Sequence, residues 1–240
     1  MKLMDLGDEA ANTIDGQIQA TRALRQNAPL RFIEAFLREP LAVGSLWPSS
    51  TTLSRAVVNS CEFRPDDTVV ELGPGTGAFT ELLLERLDGR GRLIAVETSL
   101  TNIEVLRRRF PPCRVIHDSA ENLPSHLGRR RADCIISGLA WGNMPPRSQD
   151  RILEAIWNSL SPEGQFVAFA YAHAFWLPTS LRFRRLLSEN FARVETTPIV
   201  WRNLPPAYIY RCWLTPAKPN TENKANHDSH RHRRRGGEQH

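Results

Sequence analysis

Cysteine is scarce and scattered in this chain. Cys61, Cys113, Cys134 and Cys212 are its four cysteines, and none falls in a C-x-x-C pair. That spacing excludes a zinc ribbon or a redox dithiol, and no metal site is expected. Cys113 and Cys134 lie in apolar runs that read as strands, so buried, reduced thiols are expected. Long apolar runs are also missing. No stretch of 18 apolar residues occurs, which excludes a hydropathy-defined membrane helix, and the start carries no signal-peptide pattern. A reducing, cytoplasmic location is the expectation, with peripheral attachment to the inner face of the membrane left open. Charge of one sign is lacking in the body of the chain. The whole chain carries +5, while residues 215–240 hold six Lys and Arg against three Asp and Glu, a net +3, leaving +2 for residues 1–214. The body is therefore not a strongly basic nucleic-acid binder by composition. The tail, TPAKPNTENKANHDSHRHRRRGGEQH, has almost nothing that can enter a core and is expected to be disordered. It can touch anionic lipid or RNA, or remain a solvated end.

What is present is an alternation. Strand patterns fall at 68–72, 92–96, 113–117, 132–137 and 165–171. Helical patterns fill the gaps at 76–87, 100–109 and 147–160, with a short, weakly helical connection near 119–127. Upstream, Asn27 can cap a helix that runs to Pro40, and Trp47-Pro48-Ser49-Ser50 reads as a turn whose hydroxyls cap the next one. Repeated β-α-β units of this length mean a parallel sheet with right-handed crossovers. Near the end the style changes. After a helix near 180–190, segments 193–200 and 207–214 face each other across Arg202-Asn203-Leu204-Pro205-Pro206 and must run antiparallel. Three parts are expected: residues 1–64 as an N-terminal helical extension or lid, 65–214 as the catalytic domain, and 215–240 as the basic tail.

The stretch VVELGPGTGAF, residues 69–79, ends a β-branched run with Glu71 and then places Gly73, Gly75 and Gly77 on alternate positions. Strand, glycine-rich turn and helix form a ligand cradle beyond the carboxyl end of a sheet. A pyrophosphate there would be repelled by Glu71, whereas an ammonium group would be attracted. Glu97 ends the next strand, where a carboxylate can accept both hydroxyls of a ribose. Asp118 follows the third strand, where a carboxylate can accept from an adenine amino group. Ammonium, ribose and adenine together describe S-adenosylmethionine, with S-adenosylhomocysteine as its product. The residues expected to touch it are Glu71, Gly73, Gly75, Thr76, Gly77, Glu97, Thr98, Asp118, Ser119, Ala120 and Ser137.

On these residues the chain resembles the class I S-adenosylmethionine-dependent methyltransferases. E-L-G-P-G-T-G, the acid at the second strand end, L-S-P-E-G-Q-F before the fifth strand and the closing hairpin all match. The resemblance implies a Rossmann-like α/β sheet of seven strands with the last inserted antiparallel. A narrower likeness covers residues 32–176. F-L-R-E-P-L-A-V-G-S-L-W-P-S-S, S-G-L-A-W-G-N-M-P-P and F-V-A-F-A-Y are similar to the bacterial phospholipid N-methyltransferases, which convert phosphatidylethanolamine toward phosphatidylcholine. Ala140 stands where that family usually has proline.

Methyl transfer to a neutral amine needs positioning and exclusion of water more than acid-base groups. No catalytic triad is visible. Aromatic faces suit the cationic product. Trp141 and Tyr171 are the candidates, each equally readable as ordinary packing. Asn143 can orient the amine or cap the helix after Pro145. The apolar face of residues 28–38, carrying Phe32 or Phe36 between Arg31 and Arg38, suits either a peripheral membrane contact or a lid. The acceptor expected first is an amine-bearing phospholipid. A soluble small molecule is the next reading. Chemistry at another carbon of the cofactor, a module that binds without turnover, and rRNA adenine remain as rivals. The last is disfavoured because Gly138-Leu139-Ala140-Trp141 lacks the amide of the Asn-Leu-Pro-aromatic pattern.

Overall fold

A computed structural model describes residues 48–215. The expected helix upstream of Pro40, its 28–38 face and the tail beyond residue 215 lie outside the described residues. Helix α1 spans Pro48–Asn59, followed by β1 (Thr68–Leu72), α2 (Ala78–Leu87), β2 (Arg92–Glu97), α3 (Leu100–Arg109) and β3 (Arg114–His117). A 3-10 turn (Ala120–Asn122) leads into a five-residue helix α4 (Leu123–Leu127) and β4 (Ala132–Ser137). Another 3-10 turn (Trp141–Asn143) precedes α5 (Pro146–Ser159) and β5 (Leu160–Tyr171), and a third (Ala172–Ala174) precedes α6 (Pro178–Asn190). The chain closes with β6 (Arg193–Thr196) and β7 (Ala207–Trp213).

The seven strands form one sheet in the order β3-β2-β1-β4-β5-β7-β6. The first five run parallel, and β7 lies antiparallel between β5 and β6. Both faces of the sheet are covered, which is why the central strands read as continuous apolar runs. Val69, Ala95, Cys134 and Ile136 meet α1, α2 and α3 on one face. Val70, Val96, Ile135 and Phe166 meet α4, α5 and α6 on the other. The described part of the segment expected as a lid is built into this core. Leu53, Val57 and Val58 of α1, with Cys61 and Phe63, pack in the first layer. All four cysteines are free and buried, as expected.

Several boundaries differ from the sequence reading by a residue or two, and three differences have a physical reason. Helix α1 already begins at Pro48, so Ser49 and Ser50 lie in its first turn rather than in a preceding one. Strand β5 starts at Leu160 rather than 165. Ala132 pairs with Leu160 and Cys134 with Gln165, so Ser161–Gly164 bulge out of the ladder. Strand β6 stops at Thr196 because Pro198 has no N–H to donate; beyond it Thr197 still bonds Ile209 and Val200 bridges to Ala207.

Candidate active site

The cradle forms where the carboxyl ends of β1, β2 and β4 meet. Gly73, Gly75 and Gly77 all adopt left-handed backbone, with φ of 67°, 58° and 97°. Two of them are also forced by packing. A Cβ on Gly73 would lie 2.6 Å from Cδ2 of Leu139, and one on Gly77 would lie 2.2 Å from Cε2 of Phe110. Gly77 opens α2 with no side-chain cap. The turn is tied to β2 by the Gly75 N–H, which donates to Oε2 of Glu97 at 3.1 Å. Oε1 of Glu97 accepts from the backbone N–H groups of Thr98 and Ser99 at 2.7 and 2.9 Å. Glu97 thus holds two loops in register while standing at the expected ribose position.

Glu71 is wholly buried. Its Oε2 accepts a hydrogen bond from Thr80 Oγ1 at 2.6 Å, but Oε1 has no partner. Burial pushes its carboxyl up to about 7, with Glu97 adding repulsion and the Thr80 bond opposing the rise. An orphaned buried carboxylate oxygen is costly unless a donor arrives. An ammonium group meets that need, so the residues present fit an amino-acid-bearing nucleoside.

At the adenine end, Asp118 is already engaged. Its Oδ1 accepts from the Ser119 N–H at 2.7 Å and Asn122 Nδ2 at 2.8 Å, and Oδ2 lies 2.6 Å from Nε2 of His126. Hydrogen bonds from Asn122, then His126, hold its carboxyl down at about 2. Ser119 begins the 3-10 turn and Ala120 is buried beneath it. Thr76 gives its carbonyl to Arg109 Nη1 at 2.9 Å.

Two expected residues serve the loop after β4 instead. Ser137 is buried, and its Oγ accepts from Trp141 Nε1 at 3.0 Å and from the Leu139 N–H at 3.3 Å. Its hydroxyl positions the loop. Trp141, read either as a ring face for the product or as ordinary packing, is only 2% exposed and packs in the core. It stacks on Phe183 at 4.2 Å and meets the edge of Phe166, because α6 closes over it. Asn143 does not cap α5, whose cap position is Pro145.

Leu139, Ala140, Asn143, Tyr171 and His173 border a narrow slot of about 40 Å³ beside the glycine turn. Burial raises the Tyr171 phenol well above its ordinary range, so it stays neutral. Its ring stacks on the His173 imidazole with centroids 5.7 Å apart. Desolvation lowers the pKa of His173, favouring the neutral ring.

The sequence reading missed His173 and Gln149. His173 follows the end of β5 by two residues, which is a usable signal. Gln149 is buried on the apolar face of α5, where a polar residue among Ile152, Leu153 and Ile156 is the clue. Its Nε2 donates to the Trp141 and Thr179 carbonyls at 2.7 and 3.2 Å, and its Oε1 accepts from Arg182 at 3.1 Å. Thr179 Oγ1 in turn donates to the Gly142 carbonyl. Helices α5 and α6 therefore clamp the slot's wall.

Residues 69–164 match a family described as "Methyltransferase domain". The chain is 30% identical over 187 residues to an ornithine lipid N-methyltransferase of Singulisphaera acidiphila, covering 75% of this chain and 93% of that protein. A 75-residue stretch is 44% identical to the ribosomal RNA small subunit methyltransferase A of Cupriavidus metallidurans, spanning 31% of this chain but only 26% of that one. Among solved structures, human methyltransferase-like protein 13 in complex with SAH aligns with a TM-score of 0.57 at 16% identity, over 76% of this chain and 91% of that one. An O-methyltransferase-like structure from Klebsiella pneumoniae aligns with a TM-score of 0.58 at 14% identity, over 78% and 90%. At such identities the structural likeness speaks for the fold.

Proposed function

The chain belongs to the class I S-adenosylmethionine-dependent methyltransferases, and on that premise we propose that it methylates the amine headgroup of a membrane lipid, of phosphatidylethanolamine type. The observation that carries the lipid reading is an apolar rim beside the slot. Trp176, Leu177 and Leu181 at the start of α6, and Ile199, Trp201 and Leu204 before β7, are all exposed. Trp176 and Ile199 line a common cavity of about 370 Å³ with Phe175, Tyr208 and Tyr210. A soluble acceptor gives no reason to expose two tryptophans at this end, whereas indoles are at home at a lipid–water boundary. The relative of full-length match, named for a lipid substrate, supports the same reading.

Bound in the cradle, S-adenosylmethionine supplies an electrophilic methyl group and departs as S-adenosylhomocysteine. Glu71 would hold its ammonium through Oε1, Glu97 its ribose and Asp118 its adenine edge. A lipid amine arrives largely protonated at neutral pH. His173, neutral and at the mouth of the slot, takes one ammonium proton so that nitrogen presents its lone pair. Tyr171 offers a ring to the cationic product, and the wall held by Gln149 excludes water. On this reading the protein works at the cytoplasmic face of the membrane.

The test is incubation of the protein and S-adenosylmethionine with vesicles containing phosphatidylethanolamine or ornithine lipid, read by lipid mass spectrometry. A mass gain of one or more methyl groups on either lipid is expected, and the lipid that gains it names the headgroup. Turnover confined to a water-soluble amine, or methylthioadenosine released without an acceptor, defeats the proposal.

A further inference from the structure

A second concavity lies at the opposite end of the sheet, among the amino ends of β1, β2 and β3. It encloses about 490 Å³ and is lined by Thr68, Arg92, Arg114, His126, Leu127 and Arg130, among others. Its origin is the short crossover from β3 to β4. Helix α4 has only five residues and stops at Gly128, so it spans roughly 8 Å. It covers Ile116 through Leu123 and Leu127 but leaves the starts of three strands open on that face. The sequence fills the opening with guanidinium groups rather than apolar side chains. Thr68 pairs in register with Arg92, and Ile94 with Arg114, which sets both arginines on the α4 face.

Several surface arginines are neutralised, and these three are not. Arg90, Arg109, Arg151, Arg182, Arg185, Arg193 and Arg211 each lie against a carboxylate. Arg92, Arg114 and Arg130 are among the described arginines with no carboxylate partner, and these three line one cavity with no Asp or Glu among its lining residues. The adjacent Arg131 is turned away, donating to the Asn158 carbonyl. Three cations lining one cavity, with no carboxylate among its lining residues, repel one another, and a multivalent anion relieves that repulsion. Planar guanidinium forks match phosphate oxygens bidentately. The volume falls in the range of small-ligand pockets, and Ile94, Pro112 and Leu127 add apolar surface for an organic body.

We propose that this cavity binds a phosphate-bearing anion, at a site separate from the cofactor cradle. The ligand chemistry is a phosphate mono- or diester, free in solution or on the headgroup of an anionic lipid. The site does not depend on which acceptor is methylated.

The test is titration calorimetry of the full chain with sodium pyrophosphate at low ionic strength. A companion arm measures sedimentation with phosphatidylglycerol vesicles against phosphatidylcholine vesicles. Saturable binding is expected, weakened at least about tenfold in Arg92→Gln/Arg114→Gln/Arg130→Gln, a change of about 1.4 kcal/mol. S-adenosylmethionine affinity should stay unchanged in that variant, showing that it is folded. Should it fall, the single Arg114→Gln variant carries the comparison. If vesicle binding weakens alongside, the headgroup is the source of the phosphate. If only pyrophosphate binding weakens, the ligand is a free phosphate compound. Absence of saturable binding, or equal binding by the variant, overturns the proposal.

Discussion

Glu71 is a single carboxyl whose two oxygens live in different circumstances, one bonded to Thr80 and one unanswered. Its raised pKa fixes a sign. Between about 4.5 and about 7 the folded protein keeps a proton that the unfolded chain has released. Stability of the ligand-free protein therefore falls as pH rises through that window and levels off above it. Glu71→Gln removes this slope and should stabilise the ligand-free protein at pH 8 by on the order of 2–3 kcal/mol. Denaturant unfolding at pH 5 and pH 8 reads it, and parallel slopes in both proteins would remove the buried charge as the cause. S-adenosylmethionine should bind the original protein more tightly as pH rises toward 8, a trend the Gln variant loses. His173 makes a second prediction at this scale. His173→Ala should lower kcat roughly 100-fold near pH 7, a magnitude typical of a lost general base. The deficit should shrink as pH approaches that of the free amine, and cofactor affinity should not change. A deficit constant with pH would assign the histidine a packing role instead.

Elements carry the positional accuracy that residues exploit. Gln149 joins α5, α6 and the turn after β4 through three hydrogen bonds. Gln149→Leu removes the bonds to the Trp141 and Thr179 carbonyls and to Arg182, and frees the wall of the slot. Acceptor KM should rise and kcat fall several-fold while the cofactor's Kd stays the same, a split that steady-state kinetics and calorimetry separate. Much at this scale was legible beforehand. Strands β1 and β4 and helix α3 occupy the spans that their periodicity indicates, because buried parallel strands and amphipathic helices carry strong patterns. The three acids at strand ends were legible for the same reason: each closes an apolar run. The bulge at Ser161–Gly164 was not, since Pro162 and Gly164 punctuate a loop and a bulge alike. Trp141 misled because an aromatic after a strand end has no sequence mark that tells rim from core. What buries it is Phe183, 42 positions away and brought over by α6. His173 passed unnoticed although it follows the end of β5 by two residues, because its environment comes from Tyr171 and the turn beside it.

At the scale of the whole molecule, the two ends of the sheet have opposite character. The carboxyl end carries the cradle, the slot and the exposed Trp176 and Trp201, while the amino end carries unpaired arginines. Trp176→Ser/Trp201→Ser should reduce association with lipid vesicles and turnover of bilayer substrate by about tenfold. Turnover of a short-chain, water-dispersed analogue should be spared. Flotation assays and matched kinetics check it, and an equal loss on both substrates would place the indoles in the slot's own architecture. The order of the strands has a further consequence. Strand β7 is the last of the described strands to be synthesised, yet it sits between β5 and β6 and supplies Ile209 and Ala207 to one core and Tyr208 and Tyr210 to the other. Arg211 reaches back to the Ser60 carbonyl, 151 positions earlier. A nascent chain lacking this strand exposes the edge of β5 and cannot seal either hydrophobic layer. Closure of both hydrophobic layers therefore waits for this strand to leave the ribosome, and a chain cut short ahead of Ala207 is expected to be degraded rather than to act as a smaller enzyme.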